Sequence, residues 1–118
     1  LFDNKIEIYG TERKRHLIFV TDVVDIIWLI SKKRWEGFIT LNISGHDISL
    51  LNLAEKIIRI AGRGKLSIKK IPKMIKNIDV NNAIIDESTL TDFVGKVNLM
   101  DIDSALAETI NYFKENLK

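Results

Sequence analysis

The sequence predicts one α/β domain, with a small mixed sheet and about three to four helices. Short stretches rich in β-branched residues alternate along the chain with stretches of helical periodicity, and this order is typical of α/β proteins. The 118 residues suffice for one modest domain. With 46% hydrophobic and 29% charged residues, one Pro and six Gly, the composition is that of a globular protein.

Charge and cysteine content exclude several classes of partner and of site. The formal net charge is only +2, so we expect no nucleic-acid partner. The chain has no cysteine, which excludes disulfides, thiolate metal sites and a Cys nucleophile, and is compatible with the cytoplasm. No apolar run reaches the ~18 residues of a membrane helix. His16 and His46 have no third ligand at metal spacing, so we predict no metal site.

Two strands are predicted first. Lys5 to Tyr9 alternates polar and apolar residues and ends at Gly10, which predicts a half-buried strand followed by a turn. His16 to Val20 is rich in β-branched and aromatic residues and is predicted to be the second strand. A basic turn precedes it, so Arg15 would lie at the entrance of this strand.

The first predicted helix is apolar on nearly all sides. It runs from Asp22, interpreted as its N-cap, to about Lys33. Its apolar residues are Val23, Val24, Ile26, Ile27, Trp28, Leu29 and Ile30. Such a helix is normally sandwiched between layers, and a chain of this length has little protein to cover both sides. We therefore expect a partner or a further domain to pack around Trp28.

The middle of the chain predicts a strand and a capped helix. Phe38 to Ile43 is nearly continuous in apolar character, which predicts an internal third strand. Residues 44–47 are interpreted as a loop, with His46 at the surface. A second helix spans Ser49–Ile60, with Ser49 as N-cap and Gly62 as its end.

The last third predicts one strand, a long loop and two helices. Leu66 to Ile71 is a short strand, and Pro72–Asn82 is a loop of a length that is often functional. Asp86 would cap a short helical turn that ends at Gly95, and Asp101 would cap a final amphipathic helix. The inward residues of that helix are Ile102, Ala105, Leu106, Ile110 and Phe113.

Five motifs lie at the joints of these elements. They are RHLIFVTDV from Arg15, LNISGHDIS from Leu41, Lys76-Asn77-Ile78-Asp79, Ile85-Asp86-Glu87-Ser88-Thr89, and residues 93–106. In this order they resemble the C-terminal third of an extended short-chain dehydrogenase/reductase. That is the NAD-dependent epimerase/dehydratase family, which includes nucleotide-sugar epimerases such as UDP-glucose 4-epimerase. Essentially the whole chain is covered.

The chain departs from the family pattern at several positions. The first motif of the family is R-D-F-hydrophobic-x-V-x-D-V, and His16 stands where Asp is usual. The second, N-I-G-x-G, is one residue shorter here and has lost one glycine. The third, R-P-G-D, has Lys76 in place of Arg.

The resemblance implies a nucleotide-sugar-binding part, cut away from its catalytic machinery. The glycine-rich NAD motif and the Tyr-x-x-x-Lys pair of the family are absent: neither Tyr9 nor Tyr112 has Lys four residues on. The family's NAD would bind an N-terminal Rossmann domain, and residues 21–44 would pack on that domain. This chain alone would not be catalytically competent. A start at Leu1 without Met also suggests a piece of a longer protein, expected to be a cytoplasmic homodimer.

The resemblance also assigns substrate-binding residues but no catalytic, cofactor or metal ligand. Arg15 would bind the diphosphate of a nucleotide sugar, with a guanidinium that matches phosphate oxygens. Lys76 stands at the second phosphate-binding position, and Asn42 and Ser44 stand near the substrate. The alternative for Arg15 and Lys76 is a solvated surface cation. Asp79 is interpreted as a turn residue, and His16 would either tune Arg15 or simply pack.

Two other functions stay open. The chain could be a non-enzymatic interaction module of the same ancestry that dimerises through its apolar helix, and the departures at His16, Lys76 and Ala105 favour this mildly. A nucleic-acid binder is supported only by clustered charge. We interpret Asp22, Asp86 and Asp101 as helix caps, not as a group of catalytic carboxylates.

Overall fold

The computed structural model describes residues 4–72, 82 and 84–116. Its elements are β1 (Lys5–Tyr9), β2 (Lys14–Leu17), α1 (Val20–Ser31), β3 (His46–Ser49), α2 (Leu50–Ala61), β4 (Lys65–Lys69), α3 (Ser88–Val94) and α4 (Ile102–Asn116). Four helices and four strands in the described residues confirm the predicted α/β class. The strands form two separate pairs, one parallel and one antiparallel, in place of a single mixed sheet.

β1 and β4 form the parallel pair. Lys5 lies opposite Lys65, and Tyr9 lies opposite Lys69. Parallel strands need a long connection, and here that connection includes α2, which packs on both strands. The predicted strand at Lys5–Tyr9 is confirmed with its bounds, and the strand predicted at 66–71 begins one residue earlier and ends two residues earlier.

α2 has the two ends that the sequence predicts. The Ser49 hydroxyl accepts a hydrogen bond from the amide of Asn52 at 3.2 Å, which satisfies one of the free donors of the first turn. At the other end, Gly62 has φ +71°, a left-handed conformation that glycine adopts without a steric penalty. The helix packs against α4 as well as against the strands.

β2 and β3 form the antiparallel pair, with Arg15 opposite Ile48 and His16 opposite Asp47. The second strand was predicted at residues 16–20, and these bounds are wrong, because the chain already turns into α1 at Val20. β3 begins within residues 44–47, whose polar character predicts a loop. Its pairing with β2 is tertiary and leaves no periodic signal in the sequence.

The structure also contradicts the internal strand predicted at Phe38–Ile43. The four described strands pair only with one another, and residues 38–43 belong to none of them. Phe38 is 93% exposed. An apolar run becomes an internal strand only where strands pair on both sides of it, and the described residues supply neither neighbour.

α1 leaves an apolar face uncovered. Ile26 is 1% exposed and belongs to the core, whereas Trp28 is 61% exposed. The large side chains exposed on this helix are Val20, Val24, Ile27, Trp28 and Leu29. The described residues therefore leave part of the helix uncovered. The apolar sequence on all sides of the helix predicts this result. Lys32 lies over the Trp28 ring, with its Nζ 4.7 Å from the ring centroid.

The acidic residues before α3 and α4 bind the first turns of those helices. Asp86 accepts a hydrogen bond from the amide of Ser88 at 2.9 Å, and Asp101 accepts one from the amide of Ser104 at 3.0 Å. The predicted cap at Asp101 is confirmed. Asp86 binds the first amide of α3, but Glu87, and not Asp86, occupies the N-cap position of that helix. On α4, Ile110 is buried as predicted, but Phe113 is exposed. No helix in the described ranges has both the length and the apolar character needed to cross a membrane.

Candidate functional site

Arg15 is the second residue of the four-residue strand β2. It is half-buried and lies opposite the buried Ile48 of β3. Its Nη1 donates a hydrogen bond to the main-chain oxygen of Lys14 at 2.7 Å. Arg15 therefore lies within the strand, and not in a turn before it as predicted, and its binding role stays a prediction.

The opposite face of β2 carries two polar contacts to the chain around β3. Lys14 forms an ion pair with Asp47, with 2.8 Å between Nζ and Oδ2. His16 Nδ1 lies 3.2 Å from the hydroxyl of Ser44 in a partly buried contact. Successive side chains of a strand point to opposite faces. Lys14 and His16 therefore lie on the face of β2 that Arg15 does not occupy.

Residues 42–46 connect three distant parts of the chain. Asn42 Nδ2 donates to the main-chain oxygen of Asp86 at 3.1 Å. Ser44 contacts His16 on β2, and His46 Nε2 lies 2.7 Å from the main-chain oxygen of Met100. The contacts come from every second residue, which is the period of an extended backbone. The polar side chains of this stretch, named here the 42–46 segment, therefore fix it between β2, the start of α3 and the start of α4.

Gly45 allows this segment to lie directly against β2. A Cβ atom on Gly45 would come within 2.2 Å of the main-chain oxygen of Leu17 and 2.9 Å of the Ile18 nitrogen. No real Cβ atom approaches backbone so closely, so only glycine fits without movement of one chain or the other. Gly45 is the glycine of the second motif that this chain retains.

Met100 is held from both sides. Its amide donates to Oδ2 of Asp22 at 3.1 Å, and its carbonyl accepts from His46. Asp22 is 8% exposed and lies inside the first turn of α1, with Phe19 at the N-cap position. The predictions of Asp22 as an N-cap and of His46 as a surface histidine are therefore wrong. Both side chains bind backbone that is distant in sequence, which a local pattern does not reveal.

Hydrogen bonds lower the pKa of three carboxyl groups near the helix ends. Those from Ser88 and Ser104 lower the pKa of Asp86 and Asp101 below their usual value of 3.8. The pKa of Asp103 is lowered by hydrogen bonds from Lys56 first and then Arg59, whose nitrogens lie 2.5 and 2.7 Å from its oxygens. These carboxylates stay ionised in structural roles and are not tuned as general acids.

A surface groove of about 580 Å³ lies between β3, α2 and α4. Its wall carries acidic groups, Asp47 and Glu55, and cations, Lys56 and Arg59. Both cations are paired with Asp103. Arg15 is not part of this wall. The mixed and mutually neutralised charge makes the groove a poor match for a diphosphate.

Of the three predicted substrate-binding residues, the structure describes Arg15 and Asn42. Their side chains bind different parts of the chain: Arg15 donates to the backbone of β2, and Asn42 donates to the backbone before α3. Lys76 and Asp79 lie outside the described residues. Across residues 4–72, 82 and 84–116, no three His, Asp or Glu side chains are grouped in a way that could hold a metal ion.

Comparison with known proteins reveals the fold. No family model matches the sequence, and neither does any curated protein. Solved structures do match. The UDP-glucose 4-epimerase of Thermotoga maritima with UDP-glucose is 24% identical, with a TM-score of 0.78, and the match covers 97% of this chain and 36% of that one.

Two further structures give the same result. MoeE5 in complex with UDP-glucuronic acid and NAD is 22% identical, with a TM-score of 0.76, over 94% of this chain and 37% of that one. TunA, an NAD-dependent NDP-hexosamine 5,6-dehydratase of tunicamycin biosynthesis, is 15% identical, with a TM-score of 0.78, over 98% and 37%. This chain thus spans little more than a third of the proteins it matches. Its fold is that of one part of the NAD-dependent epimerase/dehydratase enzymes, the extended short-chain dehydrogenases/reductases, as the sequence motifs predicted.

Proposed function

We propose that this chain is the C-terminal, nucleotide-sugar-binding part of an NAD-dependent sugar epimerase or dehydratase. The observation that carries the proposal is the position of Arg15 on β2, within a fold shared with enzymes solved with UDP-sugars. The first motif begins at this residue, and β2 is tied to the rest of the fold through the 42–46 segment.

Arg15 would bind the diphosphate of the substrate. A guanidinium presents planar paired donors that match two phosphate oxygens, and it stays charged at all physiological pH values. Lys76 would supply a second cation, although an ammonium is a point charge and cannot form the same two-pronged contact. Asn42 would lie near the substrate, as the second residue of the motif that begins at Leu41.

The chemical step belongs to residues outside this chain. In enzymes of this fold a sugar hydroxyl is oxidised: the hydride leaves the carbon that bears the hydroxyl for NAD, and the hydroxyl proton passes to a base. An epimerase or dehydratase then reverses or extends that step. This chain carries neither a glycine-rich dinucleotide motif nor a Tyr-x-x-x-Lys pair. We infer that NAD binds an N-terminal Rossmann domain, while this chain binds and orients the nucleotide sugar.

Residues 21–44 would pack on that domain. The support is physical: Val24, Ile27 and Trp28 on α1 are exposed, and so is Phe38 in the stretch that follows. Apolar surface of this extent is costly in water and marks a contact site. The resemblance further supports a cytoplasmic homodimer for the complete enzyme.

Titration calorimetry with UDP-glucose tests the substrate role of Arg15. Arg15→Ala in the complete enzyme should weaken binding by more than about tenfold, because losing a charged hydrogen-bonding partner costs ~1.5–3 kcal/mol. NAD affinity should not change. The matched control is Arg63→Ala, which removes an exposed arginine after α2. Equal UDP-glucose affinities for Arg15→Ala and the unmodified enzyme would contradict the role.

The gene itself offers a second test. The sequence upstream of Leu1 should encode a glycine-rich βαβ motif followed by Tyr-x-x-x-Lys. A natural start near Leu1 would rule out the enzyme.

The second candidate is a non-enzymatic module that dimerises through α1. The exposed apolar face of this helix favours it as well. Sedimentation separates the two candidates: a tight dimer that Trp28→Asp dissociates, and that does not bind nucleotide sugars, would support the module. A monomer that binds UDP-glucose would support the enzyme part.

A further inference from the structure

Two departures from the family motifs touch each other in space. His16 replaces the usual Asp of the first motif, and Ser44 follows Asn42-Ile43, where the second motif has its first glycine. Although 28 residues apart, they are joined by the 3.2 Å contact between His16 Nδ1 and the Ser44 hydroxyl. The contact is partly buried, so water competes with it less than at an open surface.

Ser44 lies in a segment whose position is set by contacts outside β2. Its neighbours Asn42 and His46 bind the backbone of Asp86 and Met100, respectively. Gly45 packs directly against the Leu17 carbonyl. The 42–46 segment is therefore held at both ends and along its length. Through Ser44, the His16 side chain is therefore connected to a segment that other parts of the chain hold in place.

β2 needs such an anchor. It is four residues long and, among the described strands, pairs only with β3. Such a short two-stranded pair is marginal on its own and twists readily. Because His16 and Arg15 are neighbours on one short strand, a rotation of β2 about its axis at His16 also turns the Arg15 side chain.

We propose that His16 and Ser44 are positioning residues, whose hydrogen bond sets the rotation of β2 and thereby directs the Arg15 guanidinium toward the substrate diphosphate. The proposal rests on the proposed function, since it assigns Arg15 to the diphosphate. It assigns no chemical step to either residue. Together, His16 and Ser44 would give Arg15 a fixed position.

The test compares two ligands, UDP-glucose and uridine, by titration calorimetry on the complete enzyme. Uridine lacks the diphosphate, so a rotated Arg15 affects only the binding of UDP-glucose. The variants are His16→Leu and Ser44→Ala, which remove the bond, and His16→Asn, whose amide reaches the position of the imidazole Nδ1. Asp47→Asn is the matched control, because it removes the exposed ion pair with Lys14 on the same face of β2.

His16→Leu and Ser44→Ala should each weaken UDP-glucose binding by about threefold to tenfold, the range of one neutral hydrogen bond. Uridine binding should be unchanged. His16→Asn and Asp47→Asn should stay within about twofold of the unmodified protein. The double variant should be no weaker than either single one, because both remove the same bond.

Three outcomes would overturn the proposal. If both ligands weaken equally, or only the melting temperature falls, His16 and Ser44 have a general structural role. If His16→Leu and Ser44→Ala bind UDP-glucose normally while Arg15→Ala does not, the positioning role is wrong and the proposed function stands. If Arg15→Ala also binds normally, the proposed function fails, and the positioning role fails with it.

Discussion

His46 donates a hydrogen bond from Nε2 to the main-chain oxygen of Met100, across 2.7 Å. A carbonyl oxygen can only accept, so Nε2 carries the proton. Met100 lies two residues before α4, and its amide is bound as well, by Asp22. The start of the last helix is therefore fixed by one side chain from α1 and one from β3.

Replacing His46 should destabilise the domain. His46→Leu leaves a partly buried carbonyl without its donor, and we expect the free energy of unfolding to fall by about 1–2 kcal/mol. His46→Gln is the matched control, because its Nε2 reaches a similar position and should restore at least half of the loss. Urea unfolding measures both. Equal losses in the two variants would show that ring packing, and not the hydrogen bond, stabilises this site.

Gly45→Ala should be the most damaging glycine substitution among the described residues. Its Cβ would overlap the Leu17 carbonyl, so the 42–46 segment or β2 must move, at a cost of about 3 kcal/mol or more. The control is Gly37→Ala. Gly37 has φ +79° and open space around it, so that variant should cost only about 1–2 kcal/mol of backbone strain.

Thermal melts rank the two glycine variants. Amide shifts of Leu17 and Ile18 should move in Gly45→Ala alone. A Gly45→Ala protein as stable as Gly37→Ala would contradict the close approach of the two chains.

Acid should weaken the capping of α4. Hydrogen bonds from Ser104 hold the pKa of Asp101 below 3.8, its value in the unfolded chain. A lowered folded pKa means that the capping stability is fully present above pH 3.8 and is lost as pH falls through the folded value. Urea unfolding between about pH 2 and pH 6 measures this dependence.

Asp101→Asn should remove that contribution to the pH dependence, while costing little near neutrality because Asn also caps helices well. Asp92→Asn, on the exposed surface of α3, is the control and should keep the full dependence. If the two variants show the same pH profile, Asp101 does not contribute to acid unfolding.

Neighbouring isoleucines of α1 should respond differently to truncation. Ile26→Ala removes a core side chain and should cost about 3 kcal/mol or more. Ile27 is 56% exposed, so Ile27→Ala should change the free energy of unfolding of this chain by about 0.5 kcal/mol at most. In the complete enzyme, Ile27→Ala should cost clearly more if the proposed domain packs on α1. An equal cost in both proteins would contradict that packing.

The elements that the sequence predicted well have local causes. α2 is defined by the Ser49 cap, by Gly62 and by an apolar face at helical spacing, all within a short stretch. Asp86 and Asp101 accept hydrogen bonds from amides two and three residues further along the chain, respectively.

The predictions that are wrong depend on contacts between residues distant in the sequence. Phe38–Ile43 has the composition of an internal strand, but a strand needs paired neighbours, and none of the described strands lies beside it. β3 has polar residues and forms because Gly45 allows the chain to approach β2. Asp22 looked like a cap because acids often begin helices. Its partner, Met100, is not visible from the residues around it.

The Asp22–Met100 bond joins residues that are 78 positions apart. At a synthesis rate of about 5–20 residues per second, the ribosome needs roughly 4–16 s between making the two. Throughout that interval the carboxylate of Asp22, in the first turn of α1, lacks the Met100 amide that it binds in the complete fold. The start of α1 therefore completes its contacts only after the chain has been made as far as Met100.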